Sequence, residues 1–288
     1  MNLPVKPEDS SARACIADKS LRICQRCGLA RYMAPQKEAM VCSRLVELSR
    51  EFGRAAWTIL GEGNTSARLD EKVFAVKSSG SSLGTLTEIE LSHCYFDRLL
   101  PVLDRDELSE QEIESVLLDS RVRPTELKPS VETFFHAYLL TLRGVNFVGH
   151  THPVPVNQIL CSSLAESFAI ERRFPDEVVC CGPVSLLVPY EDPGLALAVR
   201  IRREIQGFER RHAKLPKVIL LGNHGVITIG PSADAVRVAM AMTVKAAEIF
   251  VGAHALGGNI AMPQSEVDRI ENRLDEEYRR RMLSASGW

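Results

Sequence analysis

Two apolar runs flank a short polar turn in Val218-Ile219-Leu220-Leu221-Gly222-Asn223-His224-Gly225-Val226-Ile227-Thr228-Ile229, and this stretch decides the fold. Both runs are rich in β-branched residues, and the glycines and asparagine between them favour a tight turn, so the stretch predicts a β-hairpin. A hairpin requires at least part of the sheet to be antiparallel. Its turn has no packing reason to contain His224, which makes this histidine a candidate functional residue.

Helix-like and strand-like segments alternate around this hairpin. Residues 73–76 and the segment that ends at His152 have the pattern of strands, and a helix is predicted to begin at Ser130. Apolar residues at helical spacing predict further helices over roughly residues 40–52, 87–104, 110–119, 193–210, 232–251 and 264–283. Strands separated by helices, with one clear hairpin, indicate an α/β protein whose mixed or antiparallel sheet is covered by helices.

The composition is that of a globular protein with a small-molecule partner. Of 288 residues, 45% are hydrophobic and 25% are charged, and the net charge is −2. No basic stripe interleaved with aromatic residues is present, which argues against nucleic acid as a partner. No apolar run reaches the ~18–20 residues needed to cross a bilayer, and the first residues lack the apolar core of a signal peptide. We therefore expect a cytoplasmic protein without a membrane partner.

The N-terminal segment differs from the rest of the chain. Four of the eight cysteines lie within the first 42 residues. Cys24 and Cys27 form half of a zinc knuckle, but no second half follows at a fitting spacing, so we expect reduced thiols. Residues 1–36 are predicted to be a tail or loosely attached extension. Because no internal repeat or low-complexity linker follows, residues 37–288 are predicted to form one catalytic domain.

A second histidine motif lies in Val148-Gly149-His150-Thr151-His152-Pro153. Side chains at i and i+2 of a strand point the same way, so His150 and His152 can present two imidazoles from one face. Together with His224 they form a three-histidine set that leaves one or two metal positions open, as in catalytic zinc sites. An isolated pair would be weak evidence, and the third histidine makes it stronger. The remaining histidines are interpreted as structural or solvated: His93, His136, His212 and His254.

Two loops could bind an anion. Gly61-Glu62-Gly63-Asn64-Thr65-Ser66 nearly matches the dinucleotide-binding fingerprint, but that fingerprint requires a helix where this chain continues towards another strand. The same turn and Ser78-Ser79-Gly80-Ser81-Ser82 offer amide and hydroxyl donors that could bind a phosphate monoester. Such loops are more often plain turns, so both interpretations stay open.

Glu132, in Lys128-Pro129-Ser130-Val131-Glu132, also has two interpretations. Ser130 is a plausible N-cap, and a carboxylate in the first helical turn is favoured by ~0.3–1 kcal/mol through the helix dipole. Alternatively, the carboxylate is an acid/base group beside a metal. The residues by themselves do not separate these two roles.

Five separated motifs, taken together, resemble the class II aldolase/adducin family over roughly residues 40–255. In chain order they are Gly63-Asn64-Thr65-Ser66, Ser79-Gly80, Pro129-Ser130-Val131-Glu132, His150-Thr151-His152-Pro153 and Asn223-His224-Gly225. The resemblance implies three α/β/α layers around a mainly antiparallel sheet, assembled as a homotetramer with active sites between neighbouring subunits. Within the family, the chain looks most like the aldolase half of proteins that join rhamnulose-phosphate aldolase to a dehydrogenase.

The resemblance also implies roles for individual residues. One Zn²⁺, or another divalent metal, per subunit would be bound by His150, His152 and His224, with Glu132 as the acid/base. The phosphate of a sugar phosphate would be bound by Asn64, Ser79, Gly80 and Ser130. The implied reaction is retro-aldol cleavage of a ketose 1-phosphate, of the rhamnulose or fuculose type, to dihydroxyacetone phosphate and an aldehyde. The alternatives are a decarboxylase, dehydratase or 4-epimerase of the same family, or an adducin-like binding protein without catalysis.

Two positions depart from the family pattern. Phosphate-ester aldolases of the family commonly have two serines before the glutamate, whereas here Ser130 is followed by Val131. A tyrosine that some aldolases supply from a neighbouring subunit corresponds by rough alignment to Phe174. We therefore predict that Tyr278, in the C-terminal helix, supplies the missing acid, although a half-buried packing role is the plainer interpretation.

Overall fold

The computed structural model describes residues 35–105, 108–276, 278 and 282. Almost all of the predicted extension, including Cys24 and Cys27, therefore lies outside the described residues. The first helix begins at Pro35, so the predicted boundary between residues 36 and 37 lies within its first turn. The prediction of one domain over residues 37–288 stays a prediction.

One sheet of seven strands forms the centre of the described chain. Its order is β3-β2-β1-β4-β7-β6-β5, and every neighbouring pair is antiparallel except β5 with β6. The strands are β1 Asn64–Arg68, β2 Val73–Lys77, β3 Leu91–Tyr95, β4 Phe147–Thr151, β5 Leu186–Val188, β6 Val218–Leu221 and β7 Gly225–Gly230. The predicted hairpin is β6 and β7.

Helices lie before, between and after the strands. Their bounds are α1 Pro35–Phe52, α2 Phe96–Leu99, α3 Glu110–Asp119, α4 Thr133–Thr141, α5 Val154–Leu160, α6 Ala165–Ile170, α7 Pro175–Cys181, α8 Leu195–His212, α9 Ala233–Ala255 and α10 Gln264–Glu271. Among the described residues, no helix is both long enough and apolar enough to cross a membrane.

The hydrophobic core has two halves, one on each face of the sheet. Val218 and Leu220 of β6 contribute to the half that packs on α1, α5, α7 and α9, whereas Ile219 and Leu221 contribute to the half that packs on α3, α4 and α8. Successive side chains of a strand point to opposite faces, so a strand covered on both sides must be apolar throughout. The predicted three-layer α/β/α fold with a mainly antiparallel sheet is confirmed.

Some local predictions were wrong. The segment 87–104 is not one helix, because it contains the edge strand β3, which pairs with β2 along its whole length. The spacing of its leucines imitates a helix, but pairing with a neighbouring strand outweighs that local preference. The predicted C-terminal helix over 264–283 is interrupted, since α10 ends at Glu271 and helical residues resume only at Leu274. Strand β5 and helices α5 to α7 were not predicted.

Gly149 of β4 packs against Phe52, the last residue of α1. A Cβ atom at this position would lie 2.3 Å from Cε2 of Phe52 and 3.0 Å from Cγ1 of Val236. We predict that Gly149→Ala lowers the free energy of unfolding by about 1–3 kcal/mol through overpacking. Gly252 is the matched control: it lies exposed in α9 with no atom within 4 Å of the added carbon, so Gly252→Ala should stabilise by up to ~1 kcal/mol. Urea unfolding of both variants measures the difference, and equal stability would contradict this packing.

Candidate metal and active site

The end of β4 and the β6–β7 turn bring three histidines together. His150 lies within β4 and pairs with Ile227 of β7, while His152 follows the last residue of β4. The ring centroids are 4.7 Å apart for His150 and His152, 5.0 Å for His150 and His224, and 5.1 Å for His152 and His224. One ring nitrogen of each lies within 4.8 Å of the others. This is the arrangement that the sequence predicted.

Backbone contacts hold these residues in place. Nδ1 of His150 lies 3.0 Å from the carbonyl oxygen of Val226, so the ring proton sits on Nδ1 and leaves the Nε2 lone pair directed into the cluster. The backbone N–H of His152 donates to the Trp57 carbonyl at 2.9 Å. The Asn157 side-chain amide donates to the His224 carbonyl at 3.0 Å.

The residues on either side of His224 are matched to the tight turn. Asn223 has φ of 54°, a left-handed conformation that asparagine adopts more readily than most residues. At Gly225 a Cβ atom would lie 2.6 Å from Cδ2 of His152 and 2.7 Å from the carbonyl oxygen of Thr151. Glycine at this position therefore allows the turn to approach the end of β4 closely enough to complete the histidine cluster.

The Glu132 side chain faces the histidines and makes no capping hydrogen bond to α4. Its Oε1 atom lies 3.4 Å from Nε2 of His150 and 3.4 Å from Nε2 of His224. The helix begins at Thr133, and Glu132 itself is the N-cap residue without a side-chain capping hydrogen bond. Ser130 was predicted as the N-cap, but its hydroxyl accepts only the Glu132 N–H, at 3.3 Å, in the turn before the helix. Of the two roles considered, the contacts favour the one beside the histidines.

Burial and mutual charge set the ionisation of this cluster. Burial raises the pKa of the Glu132 carboxyl, but the adjacent imidazoles of His150 and His224, each 3.4 Å away, outweigh it and hold that pKa well below 4.5. For His152, burial first and then His150 and His224 lower the pKa to about 3. At neutral pH Glu132 is thus a carboxylate and His152 a neutral imidazole, the forms that bind metal ions.

These donors fit a divalent cation. The Nε2 atoms of His150 and His152 are only 2.9 Å apart, a contact that requires a proton or a cation between the two lone pairs. Neutral imidazoles with an adjacent carboxylate suit Zn²⁺ and other first-row divalent ions. Three imidazoles also leave coordination positions for the oxygen atoms of a substrate.

The predicted anion-binding residues are connected to this cluster through Asn64, which pairs with His150, and Ser130, which contacts the Glu132 N–H. Asn64 is not in a turn but begins β1, where it pairs with His150 and is 1% exposed. Its Nδ2 atom is buried and has no hydrogen-bond partner among the described residues. The exposed Ser79 and Gly80 follow β2, and the Ser79 N–H donates to the Lys128 carbonyl at 2.8 Å. This contact brings the serine loop next to the segment that contains Ser130.

Lys77 was not predicted, yet it joins the two loops. It is 2% exposed, and its Nζ atom donates to the carbonyl oxygen atoms of Gly61 at 3.1 Å and of Ser81 at 2.7 Å. Burial lowers the pKa of its ammonium group, while Glu132 and Glu90 oppose that effect. A lysine at the end of an otherwise apolar strand was the available signal in the sequence.

Two other groups lie beside the cluster, and only Glu62 had no prediction of its own. His136, interpreted as structural or solvated, is fully buried in α4 one turn after Glu132, and its Nδ1 lies 2.7 Å from the Ser66 hydroxyl. Burial lowers the pKa of His136 to about 3. Glu62 approaches the outer side of His152, with Oε1 3.9 Å from Nδ1. The proximity of Glu62 to the cluster could not be read from the sequence, because it depends on a contact between distant segments.

Phe174, which stands where some family members have a tyrosine, and Tyr278, the predicted acid, have surroundings of their own. Phe174 is the N-cap residue of α7, where its ring lies 5.2 Å from the Lys245 ammonium group. Tyr278 is 66% exposed. Among the described residues, no hydrogen bond or ring contact joins Tyr278 to Glu132 or to the histidines. The role of Tyr278 stays a prediction.

Comparison with known proteins identifies the family. A model of the class II aldolase and adducin N-terminal domain matches residues 43–251, which include Glu132 and all three clustered histidines. The chain belongs to the class II aldolase and adducin family. This superfamily is generally dependent on a divalent metal, and it includes aldolases and a decarboxylase.

Individual relatives extend this result. A 3-oxo-tetronate 4-phosphate decarboxylase of Haemophilus influenzae is 32% identical over 197 residues, which cover 68% of this chain and 77% of that enzyme. The uncharacterized oxidoreductase YuxG of Bacillus subtilis is 30% identical over 182 residues, 60% of this chain, and the match spans only 24% of YuxG. A solved L-fuculose 1-phosphate aldolase has a TM-score of 0.63 at 16% identity, over 84% of this chain and 97% of that one, and so shares the fold.

We predict that the purified protein binds about one divalent ion per chain and that His152→Ala loses most of it, because one of three imidazole donors is removed. His212→Ala is the control, since this exposed histidine lies at the end of α8 outside the cluster. Elemental analysis after dialysis measures the metal content of each protein. Undiminished metal in the His152 variant would contradict the assignment.

Proposed function

We propose that this protein is a divalent-metal lyase, with zinc as the expected ion, that cleaves a ketose 1-phosphate to dihydroxyacetone phosphate and an aldehyde. The observation that carries the proposal is the Glu132 carboxylate, 3.4 Å from two histidines of a three-histidine cluster. A cation site with an adjacent acid/base can stabilise the negative charge and move the proton in chemistry next to a carbonyl group. The family membership supports the same class of reaction.

His150, His152 and His224 would hold the ion, which when bound supplies Lewis-acid stabilisation of the negative charge that develops on substrate oxygen. Asn64, Ser79, Gly80 and Ser130 are proposed to bind the phosphate. The unpartnered Nδ2 donor of Asn64 supports this assignment, as does the contact between the Ser79 loop and the segment before Ser130. The buried ammonium group of Lys77 adds positive charge beneath these loops.

Glu132 is proposed to move the proton at C3 of the substrate. In the cleavage direction the C4 hydroxyl loses its proton, the C3–C4 bond breaks and C3 gains a proton. In the reverse direction a carboxylate must remove the proton from that carbon. The lowered pKa keeps Glu132 ionised at neutral pH, which is the form that the reverse direction uses; in the cleavage direction Glu132 must first take up a proton before it can transfer one to C3.

A second group must handle the proton of the C4 hydroxyl. We keep Tyr278 as the proposed residue, and a homotetramer as the proposed assembly, in which a neighbouring subunit would complete the site. Two-thirds exposure of Tyr278 is compatible with a side chain that acts across such an interface. The plainer alternative is that this tyrosine has no chemical role.

Decarboxylation of a phosphorylated 3-oxo acid is the second candidate. The observation that favours it is the 32% identity with the Haemophilus influenzae decarboxylase over 77% of that enzyme. Loss of carbon dioxide also leaves negative charge next to a carbonyl group and a carbon atom that must gain a proton. Glu132 would perform this transfer alone, so no counterpart of Tyr278 would be required.

The two candidates are separated by their products. The metal-loaded protein is offered ketose 1-phosphates, 3-oxo-tetronate 4-phosphate and unphosphorylated sugar acids, and the release of aldehyde and of carbon dioxide is measured. Aldehyde with dihydroxyacetone phosphate supports the aldolase proposal. Carbon dioxide without aldehyde would replace it with the decarboxylase, and an epimer as the sole product would contradict both.

Two variants test the proton-transfer roles. We predict that Glu132→Gln keeps bound metal and its melting temperature yet loses about 10²–10⁴-fold in kcat, as expected for a general acid/base. Tyr278→Phe should lose about 10²-fold if its hydroxyl participates. Metal content and thermal melting serve as controls for both. If Glu132→Gln keeps its activity but melts at a lower temperature, Glu132 has only a structural role at the start of α4. If the kcat of Tyr278→Phe is within about twofold of wild type, the Tyr278 hydroxyl takes no part in the reaction.

Ser79→Asp tests the phosphate site. The exposed position tolerates the carboxylate sterically, but its negative charge would repel a substrate phosphate, so KM should rise far more than kcat falls. Ser265→Asp, at an exposed position in the first turn of α10, adds the same charge outside the loops that are proposed to bind phosphate and should leave KM unchanged. Steady-state kinetics on the best substrate of the panel provide the measurement. An unchanged KM in Ser79→Asp would exclude this loop as the phosphate site.

A further inference from the structure

His152 depends on a different support from that of His150. Strand β4 ends at Thr151, so the sheet itself does not fix the residue that follows. Its backbone N–H is instead held by the Trp57 carbonyl at 2.9 Å. The segment 57–62 therefore determines where this histidine lies, and any further contact from that segment bears on its orientation.

Glu62, at the end of this segment, directs a carboxylate oxygen towards His152. Its Oε2 atom accepts the Ile59 N–H at 3.0 Å, which fixes the carboxylate over the turn. The other oxygen, Oε1, then lies 3.9 Å from Nδ1 of His152. This separation is longer than a hydrogen bond and His152 is a neutral imidazole, so the Glu62 charge acts through space on the ring dipole at Nδ1. The Glu62 side chain is 39% exposed and the His152 side chain is 18% exposed. Solvent therefore weakens the interaction between them without abolishing it.

The carboxylate is on the side of the ring that faces away from the histidine cluster. Nε2 of His152 points inward, 2.9 Å from Nε2 of His150, whereas Nδ1 faces Glu62. A negative charge at Nδ1 favours the proton on that nitrogen, leaves the lone pair on Nε2 and makes it a stronger donor. For His150 the Val226 carbonyl has the corresponding place.

We propose that Glu62 is a positioning residue, which orients His152 and strengthens its Nε2 atom as a metal ligand. The proposal rests on the metal site put forward under the proposed function. It assigns to Glu62 a role through His152 and no contact with the substrate. Residues of this kind typically change metal affinity by ~10–100-fold when they are replaced.

A purely structural role is the competing explanation, and Glu62→Gln separates the two. The turn requires only an acceptor for the Ile59 N–H, and the Glu62 N–H donates to the Ile59 carbonyl at 3.0 Å in any case. Glutamine keeps that acceptor and the side-chain length while it removes the charge. A structural role therefore predicts a change in stability, whereas the positioning role predicts a change in metal affinity.

The experiment is a titration of the metal-free protein with Co²⁺, followed by its visible absorption, with no substrate present. We expect Glu62→Gln to weaken Co²⁺ binding by about 10-fold or more, with metal-free melting close to wild type. Glu62→Asp, which keeps the charge, should bind more tightly than Glu62→Gln. Glu71→Gln, an exposed site after β1, is the matched control for loss of one negative charge and should bind as wild type does.

Each outcome decides between the proposals. Co²⁺ affinity of Glu62→Gln within about twofold of wild type would overturn the role of Glu62 and leave the metal site intact. If Glu62→Gln melts early, the comparison of Glu62→Asp with wild type decides, and an equal loss of affinity in both variants would indicate a structural effect. Failure of the wild-type protein to bind Co²⁺, or equal binding by His152→Ala, would overturn the metal site itself and the Glu62 proposal with it.

Discussion

Antiparallel pairing of β4 with β1 on one side and β7 on the other places the two groups around which the site is built, His150 and Asn64. The pairing of His150 with Asn64 and with Ile227 brings an amide and an imidazole to the same end of the sheet. Side chains alternate between faces, so a slip of one residue would turn His150 to the opposite face. The buried contact between Gly149 and Phe52 opposes such a slip, because a side chain has no room there. The register of β4 in the sheet therefore determines whether His150 faces the site.

The buried charged groups of the site, Glu132 and Lys77, are stabilised by neighbouring protein groups instead of by water. A buried carboxylate is unfavourable unless positive charge or donors compensate for the lost hydration, and Glu132 has His150 and His224 for this. Lys77 is compensated by carbonyl groups of the two loops that it joins. The same groups that stabilise these charges also hold the loops near the histidines. A substrate anion would meet donors whose positions are already fixed.

Sequence patterns revealed those parts of the site that depend on short-range geometry. The period of two placed His150 and His152 on one face, and the turn between two apolar runs singled out His224, because both signals lie within a few residues. The role of Glu132 could not be separated from capping, since the start of α4 at Thr133 depends on packing against the sheet. Lys77 and Glu62 were missed because their partners lie in other loops. Strand β3 was mistaken for helix because its strand character comes from pairing with β2.

The positions of the three histidines along the chain have a consequence for folding. His150 lies in β4 and His152 directly follows that strand, whereas His224 belongs to a hairpin that lies far along the chain, after α5 to α8. An ion bound by all three would act as a cross-link between these two segments, and it could form only after they have docked. Its binding free energy would then add directly to the free energy of unfolding, by RT ln(1 + [M]/Kd). Metal supply in the cell would thereby govern how long the folded chain survives proteolysis, apart from any effect on turnover.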